Sequence, residues 1–380
     1  MTLYPDESAR RAAFPICEQK IFLAHAAVCA LPRAVADAMH GYVEQGALSH
    51  QEDAQTWRDV AATRVLGARL LSCDADEIAL LGPTSIGLSL FANGLDWQLG
   101  DEVVCHADDY PSNVYPWLEL ERRGVTVRLL KPERPGEITP ALVESVLTPR
   151  TRLVALTSAH YFSGYRPDLD TIGAMLHARG ILFAVDAIQT LGAFPLDTAH
   201  VDFLSADAHK WMLGPCAIGL VMVKRQHFET LRPTLLGAWN VHSPGFIAQP
   251  EIRFVPTAQR YEPGVLNFPG IYGMKAGLEL LLDAGIERIA ARLLELKAAL
   301  LARIEPLGFE AIGPREGSAA HAITAVRRAG ADHKALHERL LEAGIVASLR
   351  PDRAGRDWLR FSPHFYNTEA EFDRVADVLR

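Results

Sequence analysis

Between residues 77 and 223 the chain alternates short apolar runs with stretches whose apolar positions recur every three to four residues. Seven runs read as strands: Glu77–Leu81, Glu102–His106, Thr126–Lys131, Arg152–Thr157, Leu182–Asp186, Phe203–Ala206 and Ile218–Val223. Helical spacing fills Ser85–Leu95, Ser112–Arg122, Pro140–Leu147 and Leu169–Arg179, and ahead of them Thr56–Leu71 places Trp57, Val60, Ala61, Val65 and Leu66 on one face. The alternation predicts βαβ units, hence a mostly parallel sheet with right-handed crossovers. Only 11 residues separate Ala206 from Ile218, Gly214 and Pro215 among them. A parallel crossover needs more, so the seventh strand is expected to return antiparallel.

From about residue 285 the pattern becomes long and helical, with Ile289, Leu293, Leu294, Leu296 and Leu300 inside Ile286–Ile304, then shorter strands and a last helix at Thr368–Leu379. The expected division is a large α/β domain over 20–284, with 1–19 and 285–380 forming a smaller α+β domain. The stretch Thr230–Pro269 is rich in Pro, Gly and aromatics with little periodicity, and is expected to be an extended connection able to pack on a partner.

Composition narrows the class. Of 380 residues, 49% are apolar and 22% charged, with 38 basic against 46 acidic side chains and a net charge of −8, which is ordinary for a globular chain and offers no basic footprint for nucleic acid. The five cysteines (Cys17, Cys29, Cys73, Cys105, Cys216) are odd in number and contain no C-x-x-C pair, arguing against a disulfide framework or a thiolate zinc site. The uncharged run Ala79–Leu95 carries Gly82, Pro83, Gly87, Asn93 and Gly94 and is shorter than the roughly 20 apolar residues that span a bilayer. The opening MTLYPDESARRAAFP breaks any secretory apolar core with acids, arginines and prolines. A cytoplasmic protein without membrane or metal partners is the expectation.

Candidate chemistry gathers at strand ends, where open α/β sheets bind ligands. The fifth run ends in Asp186, with Gln189 three residues on; the sixth leads into a turn carrying His209 and Lys210. A strand-end carboxylate and a turn lysine suit pyridoxal 5'-phosphate. That cofactor needs an amine for its aldehyde and an acid to keep its ring nitrogen protonated. Partial desolvation would lower the lysine's proton affinity enough for nucleophilic and proton-shuttle roles.

The segment VDAIQTLGAFPLDTAHVDFLSADAHKWMLGPCAIGLVMV resembles the cofactor-lysine signature of the class V aminotransferase family, a fold-type I group that includes cysteine desulfurases, kynureninases and isopenicillin N epimerases. The likeness runs from FLAHAAVCALPRAV through GPTSIGLSLFANGLDW and YPSNVYPW to LRFSPHFYNTEAEFD. It implies a fold-type I transferase: a seven-stranded, mostly parallel sheet with one antiparallel strand, plus the smaller C-terminal domain. It further implies that Lys210 forms the Schiff base, Asp186 pairs with the pyridine nitrogen and Gln189 reaches the 3-hydroxyl. Thr84 and Ser85 match the phosphate-binding pair, in keeping with a helix start that favours a dianion. His209 matches a residue that helps hold the phosphate, Tyr110 an aromatic stacked on the ring, and Arg360 the arginine that forks the substrate α-carboxylate. Relatives are homodimers with the site at the interface, so a homodimer is implied here as well.

Three positions depart from the family pattern: Val265 stands where relatives often carry Ser or Thr toward the partner's phosphate, Asp207 where desulfurases have Ser, and Ala217 where glycine is frequent. In desulfurases the attacking cysteine lies in the C-terminal third, yet residues 217–380 contain none. Desulfuration is therefore disfavoured, and a class V aminotransferase acting on an amino acid is the leading reading. An epimerase or racemase, or a kynureninase-like lyase, is the alternative. A dinucleotide-dependent oxidoreductase shares the alternating architecture but would need a G-x-G-x-x-G after an early strand, and none is present.

Overall fold

The computed structural model describes residues 4–380. In chain order its strands are β1 (Ile21–Phe22), β2 (Ile78–Leu80), β3 (Glu102–His106), β4 (Thr126–Leu130), β5 (Thr151–Thr157), β6 (Leu182–Asp186), β7 (Phe203–Asp207), β8 (Gly219–Val223), β9 (Glu310–Ile312), β10 (Thr324–Arg327), β11 (Ile345–Val346), β12 (Ser348–Pro351) and β13 (Asp357–Phe361). A seven-stranded sheet runs in the order β2-β8-β7-β6-β5-β3-β4. Pairing is parallel from β4 through β3, β5 and β6 to β7, and β8 is antiparallel to both β7 and β2. The short β7–β8 connection thus returns antiparallel, as its length requires.

The interior strands β3, β7 and β8 are buried along their whole length because helices cover both faces of the sheet, which explains their continuous apolar runs. One apolar cluster under the sheet includes Val154, Phe183 and Leu204, and a second on the opposite face includes Val103, Leu153 and Phe203. The helix Thr84–Gly94 lies against β7 at a glycine contact: a Cβ on Gly87 would stand 2.4 Å from Ser205 Oγ. Any larger residue there would lift the helix, and its N-terminus, off the sheet.

The expected helix over Ser112–Arg122 is instead broken into a 3-10 turn at Pro111–Asn113, one α-turn at Tyr115–Leu118 and a second 3-10 segment at Glu119–Arg123. Pro116 supplies no N–H. The Asn113 side chain takes the Trp117 indole N–H at 3.1 Å and donates to Asp109 Oδ2 at 2.9 Å, fixing the loop by side-chain bonds. The stretch Thr230–Pro269 carries only short 3-10 turns before the helix Phe268–Ala284 begins.

Beyond the helix Ile286–Ile304, a four-stranded antiparallel sheet in the order β12-β13-β10-β9 packs with the helices His333–Glu342 and Glu369–Leu379 around Leu300, Leu340, Phe361 and Phe372. The N-terminal segment joins this part of the molecule. β1 pairs in parallel with β11, and Arg10 on the helix Glu7–Ala13 bonds Glu371 at 2.9 Å.

Candidate active site

Adjacent parallel strands bring the two key side chains to one edge. β6 ends in Asp186, and β7 ends in Asp207, three residues before Lys210. The loop carrying Lys210 is closed by Ala208 N–H donating to Ile218 O at 2.8 Å and Gly214 N–H to Ala208 O at 2.9 Å. Leu213 and Ala217 adopt positive φ of 55° and 61° to make this turn. An alanine in the left-handed region is strained, which gives a physical reason for the glycine frequent there in relatives.

A cavity of about 310 Å³ opens at this edge, and all eight site residues named from the sequence line it. Lys210 is 7% exposed and Asp186 is 2% exposed. Burial lowers the Lys210 amine to about 8, against the attraction of Asp186 and with help from Arg360 and Arg350. Burial raises Asp186 to about 6, opposed by a hydrogen bond from the Ile188 N–H at 3.0 Å and by Lys210. Each group thus favours the other's charged form while the protein disfavours both.

Gln189 is held by protein at both ends of its amide, with one amide hydrogen left over: its oxygen accepts from Trp211 Nε1 at 2.9 Å and its nitrogen donates to Ala26 O at 3.2 Å. Thr84 and Ser85 open the helix Thr84–Gly94, which has no side-chain cap, so their backbone N–H groups lack intrahelical acceptors. The Thr84 hydroxyl accepts the Asp207 N–H at 2.9 Å and keeps its own hydrogen to donate. His209 Nδ1 lies 2.8 Å from Asp207 Oδ1 outside hydrogen-bond alignment, and Asp207 Oδ2 is buried with no protein partner.

Tyr110 is half-exposed, with the Lys210 ammonium 5.3 Å from its ring centre. Its loop is held by Asp109, which accepts the Tyr110 N–H at 2.7 Å and which burial, together with Asp186, pushes up to about 8. Arg360 is 1% exposed on β13. Its guanidinium donates to Tyr161 O at 2.6 Å, its Nε has no acceptor, and among the described residues it pairs with no carboxylate. Neither Asp357 on the same strand nor Glu371 on the last helix pairs with it. Glu371 bonds Arg10, and Asp357 lies 4.0 Å from Lys334.

Two histidines near the cavity are held by protein groups. His25 is buried between Ser362 O and the Tyr366 hydroxyl, and His160 between Ser163 Oγ and Asp108 O. Cys216 is exposed and Cys29 is buried, with its thiol pushed up to about 12 by desolvation; among the described residues no thiol lines the cavity. Two cavity residues escaped the sequence reading. Tyr161 carried no motif of its own. Arg350 lies five residues before Gly355 in LRPDRAGRDWLR, as Arg360 lies five after it, a spacing that carries no signal until the strands pair.

These residues fit pyridoxal 5'-phosphate on structural grounds. A buried amine and a buried acid face one cavity, a helix start offers uncapped N–H groups for a phosphate, and a buried guanidinium awaits an acid.

The chain resembles known proteins over almost its full length. It is 28% identical over 318 residues, 81% of this chain and 78% of the relative, to a probable cysteine desulfurase of Methanothermobacter thermautotrophicus. It is 25% identical over 374 residues, 97% of this chain and 96% of the relative, to the uncharacterized aminotransferase YcbU of Bacillus subtilis. Among solved structures, a cysteine desulfurase of Thermococcus onnurineus superimposes with a TM-score of 0.90 at 21% identity, covering 100% of this chain and 98% of that one. The fold is that of the fold-type I enzymes. With residues 21–375 matching the family model for aminotransferase class-V, the chain belongs to the class-V aminotransferase family.

Proposed function

We propose that this protein is a pyridoxal phosphate-dependent aminotransferase working at the α-carbon of an amino acid. The observation that carries the reading is the shared cavity of Lys210, Asp186 and a buried, acid-free Arg360. When bound, the cofactor supplies an aldehyde for the substrate amine and a ring that accepts the electron pair of the broken α-bond. Lys210 Nζ is the attachment point. Its lowered proton affinity suits it to take the α-proton near neutral pH and deliver it elsewhere. Asp186 holds a proton at the ring nitrogen, its carboxylate regaining charge against burial by that pairing. Thr84, Ser85 and His209 would hold the phosphate, Gln189 would reach the 3-oxygen through its remaining amide hydrogen, and Tyr110 would stack on the ring. Arg360 orients the substrate by its α-carboxylate. The division into a large domain over 20–284 and a smaller one formed by 1–19 and 285–380, the homodimer and the cytoplasmic location belong to this proposal too.

The absence of cysteine from 217–380 and of any thiol from the described cavity lining supports amino-group transfer over desulfuration, although curated relatives carry the desulfurase name. Epimerisation shares every step up to proton removal. The test is to add single amino acids to the cofactor-loaded protein without any oxo acid. Transfer bleaches the visible band and releases one equivalent of 2-oxo acid per site. Deuterium exchange at the α-carbon alone would indicate epimerisation, and alanine with sulfur released from cysteine would indicate desulfuration.

A further inference from the structure

β12 and β13 form an antiparallel hairpin whose register pairs Ser348 with Arg360 and Arg350 with Trp358. Residues two apart on a strand share a face, so Arg350 and Arg360 project from the same side of the hairpin as diagonal neighbours. Both line the cavity that holds Lys210. Arg360 sits at the inner position with 1% exposure, and Arg350 at the exposed rim.

Neither guanidinium has a carboxylate partner among the described residues, although acids are available on the same turn. Arg353 pairs with Asp108 and Arg356 with Asp352. The only acid lining the cavity among the described residues is Asp186, which is committed to the far end beside Lys210. Two like charges aimed into one cavity repel each other, and Arg350 is one cause of the lowered proton affinity of both Arg360 and Lys210. Such an arrangement is relieved by an anion with two separated charges. One fork suffices for an α-carboxylate. The second therefore needs an acceptor of its own.

Building on the aminotransferase reading, we propose that Arg350 and Arg360 form a paired anion site, so that the amino acid taken by this enzyme carries a second acidic group on a short side chain, with Arg350 as the residue that selects it. In the bound substrate the α-carboxylate lies on Arg360, and the side-chain acid reaches outward to the rim. Arg350, exposed at the rim, supplies the second fork for that acid. An uncharged side chain of equal size leaves that guanidinium unpaired, and a charge-assisted bond of this kind distinguishes acid from amide by about 10- to 100-fold.

The experiment uses the cofactor-loaded protein and reads two quantities. The first is the equilibrium binding of the unreactive acids succinate and glutarate, against butyrate, by calorimetry. The second is the half-reaction with aspartate and glutamate, against asparagine and glutamine. Wild-type protein is expected to bind one of the dicarboxylates at least about tenfold more tightly than butyrate and to prefer the acid over its amide by a similar factor or more. In Arg350→Gln both preferences collapse to within about threefold, while cofactor content and the melting temperature stay near wild type. Equal handling of acids and amides by wild type overturns the proposal. So does an Arg350→Gln protein that loses both classes alike, because Arg350 would then serve the α-carboxylate alone. Tight, Arg350-dependent dicarboxylate binding without any half-reaction would keep the paired site and defeat the aminotransferase reading instead.

Discussion

Asp186 and Lys210 stand at the ends of neighbouring parallel strands, and each shifts the other's proton affinity inside one buried cavity. The parallel pairing of β6 with β7 sets this relationship, since Asp186 lies opposite Ser205 and Lys210 follows five residues later in the return toward β8. Without a cofactor the pair is a source of instability.

That cost is measurable in protein freed of cofactor. Asp186 titrates near 6 when folded, above its unfolded value. The folded state therefore binds more protons between about pH 4 and 6, stability falls as pH rises through that window, and the loss is complete above it. Asp186→Asn removes the ionisable group. At pH 8 the cofactor-free variant is expected to be more stable than wild type by about 2–3 kcal/mol in denaturant titrations, with the gap closing near pH 4. A variant less stable than wild type at pH 8 would mean that attraction to Lys210 outweighs burial.

Arg360→Lys keeps a charge but loses the planar fork. Held by Tyr161 O and unpaired at Nε, the native guanidinium is preorganised for a carboxylate. The variant is expected to weaken amino acid binding by about 10- to 100-fold with normal cofactor content, read from the substrate dependence of the half-reaction.

Ala217 holds φ at 61° in the turn that returns from Lys210. Ala217→Gly relieves left-handed strain worth about 1–2 kcal/mol and gives back part of it as unfolded-chain entropy, so a net gain of about 0.5–1 kcal/mol is expected in equilibrium denaturation. No gain would place the strain elsewhere in the loop.

Arg64 on the helix Ala54–Leu71 and Glu262 make a buried two-pronged pair at 2.6 and 2.7 Å, and Glu262 also takes the Leu80 N–H at 2.6 Å. This ties the irregular 230–269 stretch to β2. Glu262→Ala leaves a buried arginine without its carboxylate and the Leu80 N–H without its acceptor and is expected to destabilise the fold by about 3–5 kcal/mol in chemical denaturation.

Much of this architecture could be read from residue pattern. Glu102–His106 and Leu182–Asp186 have the bounds their apolar runs indicated, because strands covered on both faces leave no ambiguity of period. The seventh strand's direction followed from chain length alone. The Ser112–Arg122 stretch misled because its apolar spacing is helical while Pro116 and the Asn113 side-chain bonds divide it. In the site, Lys210, Asp186 and Gln189 were legible as neighbours of strand ends. Arg350 was not, since its meaning depends on a hairpin register that juxtaposes it with Arg360, and register emerges only from pairing. The engagement of both ends of Gln189 was hidden for the same reason: Trp211 and Ala26 approach it from distant parts of the chain.

The most direct test is covalent. Protein purified with pyridoxal phosphate is treated with borohydride and digested, and its peptides are sequenced by mass spectrometry. The expected result is a yellow protein whose visible band vanishes on reduction, with one phosphopyridoxyl group per chain on Lys210, and a colourless Lys210→Ala variant that still folds. A label on another lysine, or a wild-type protein that cannot be loaded with the cofactor, would contradict the account.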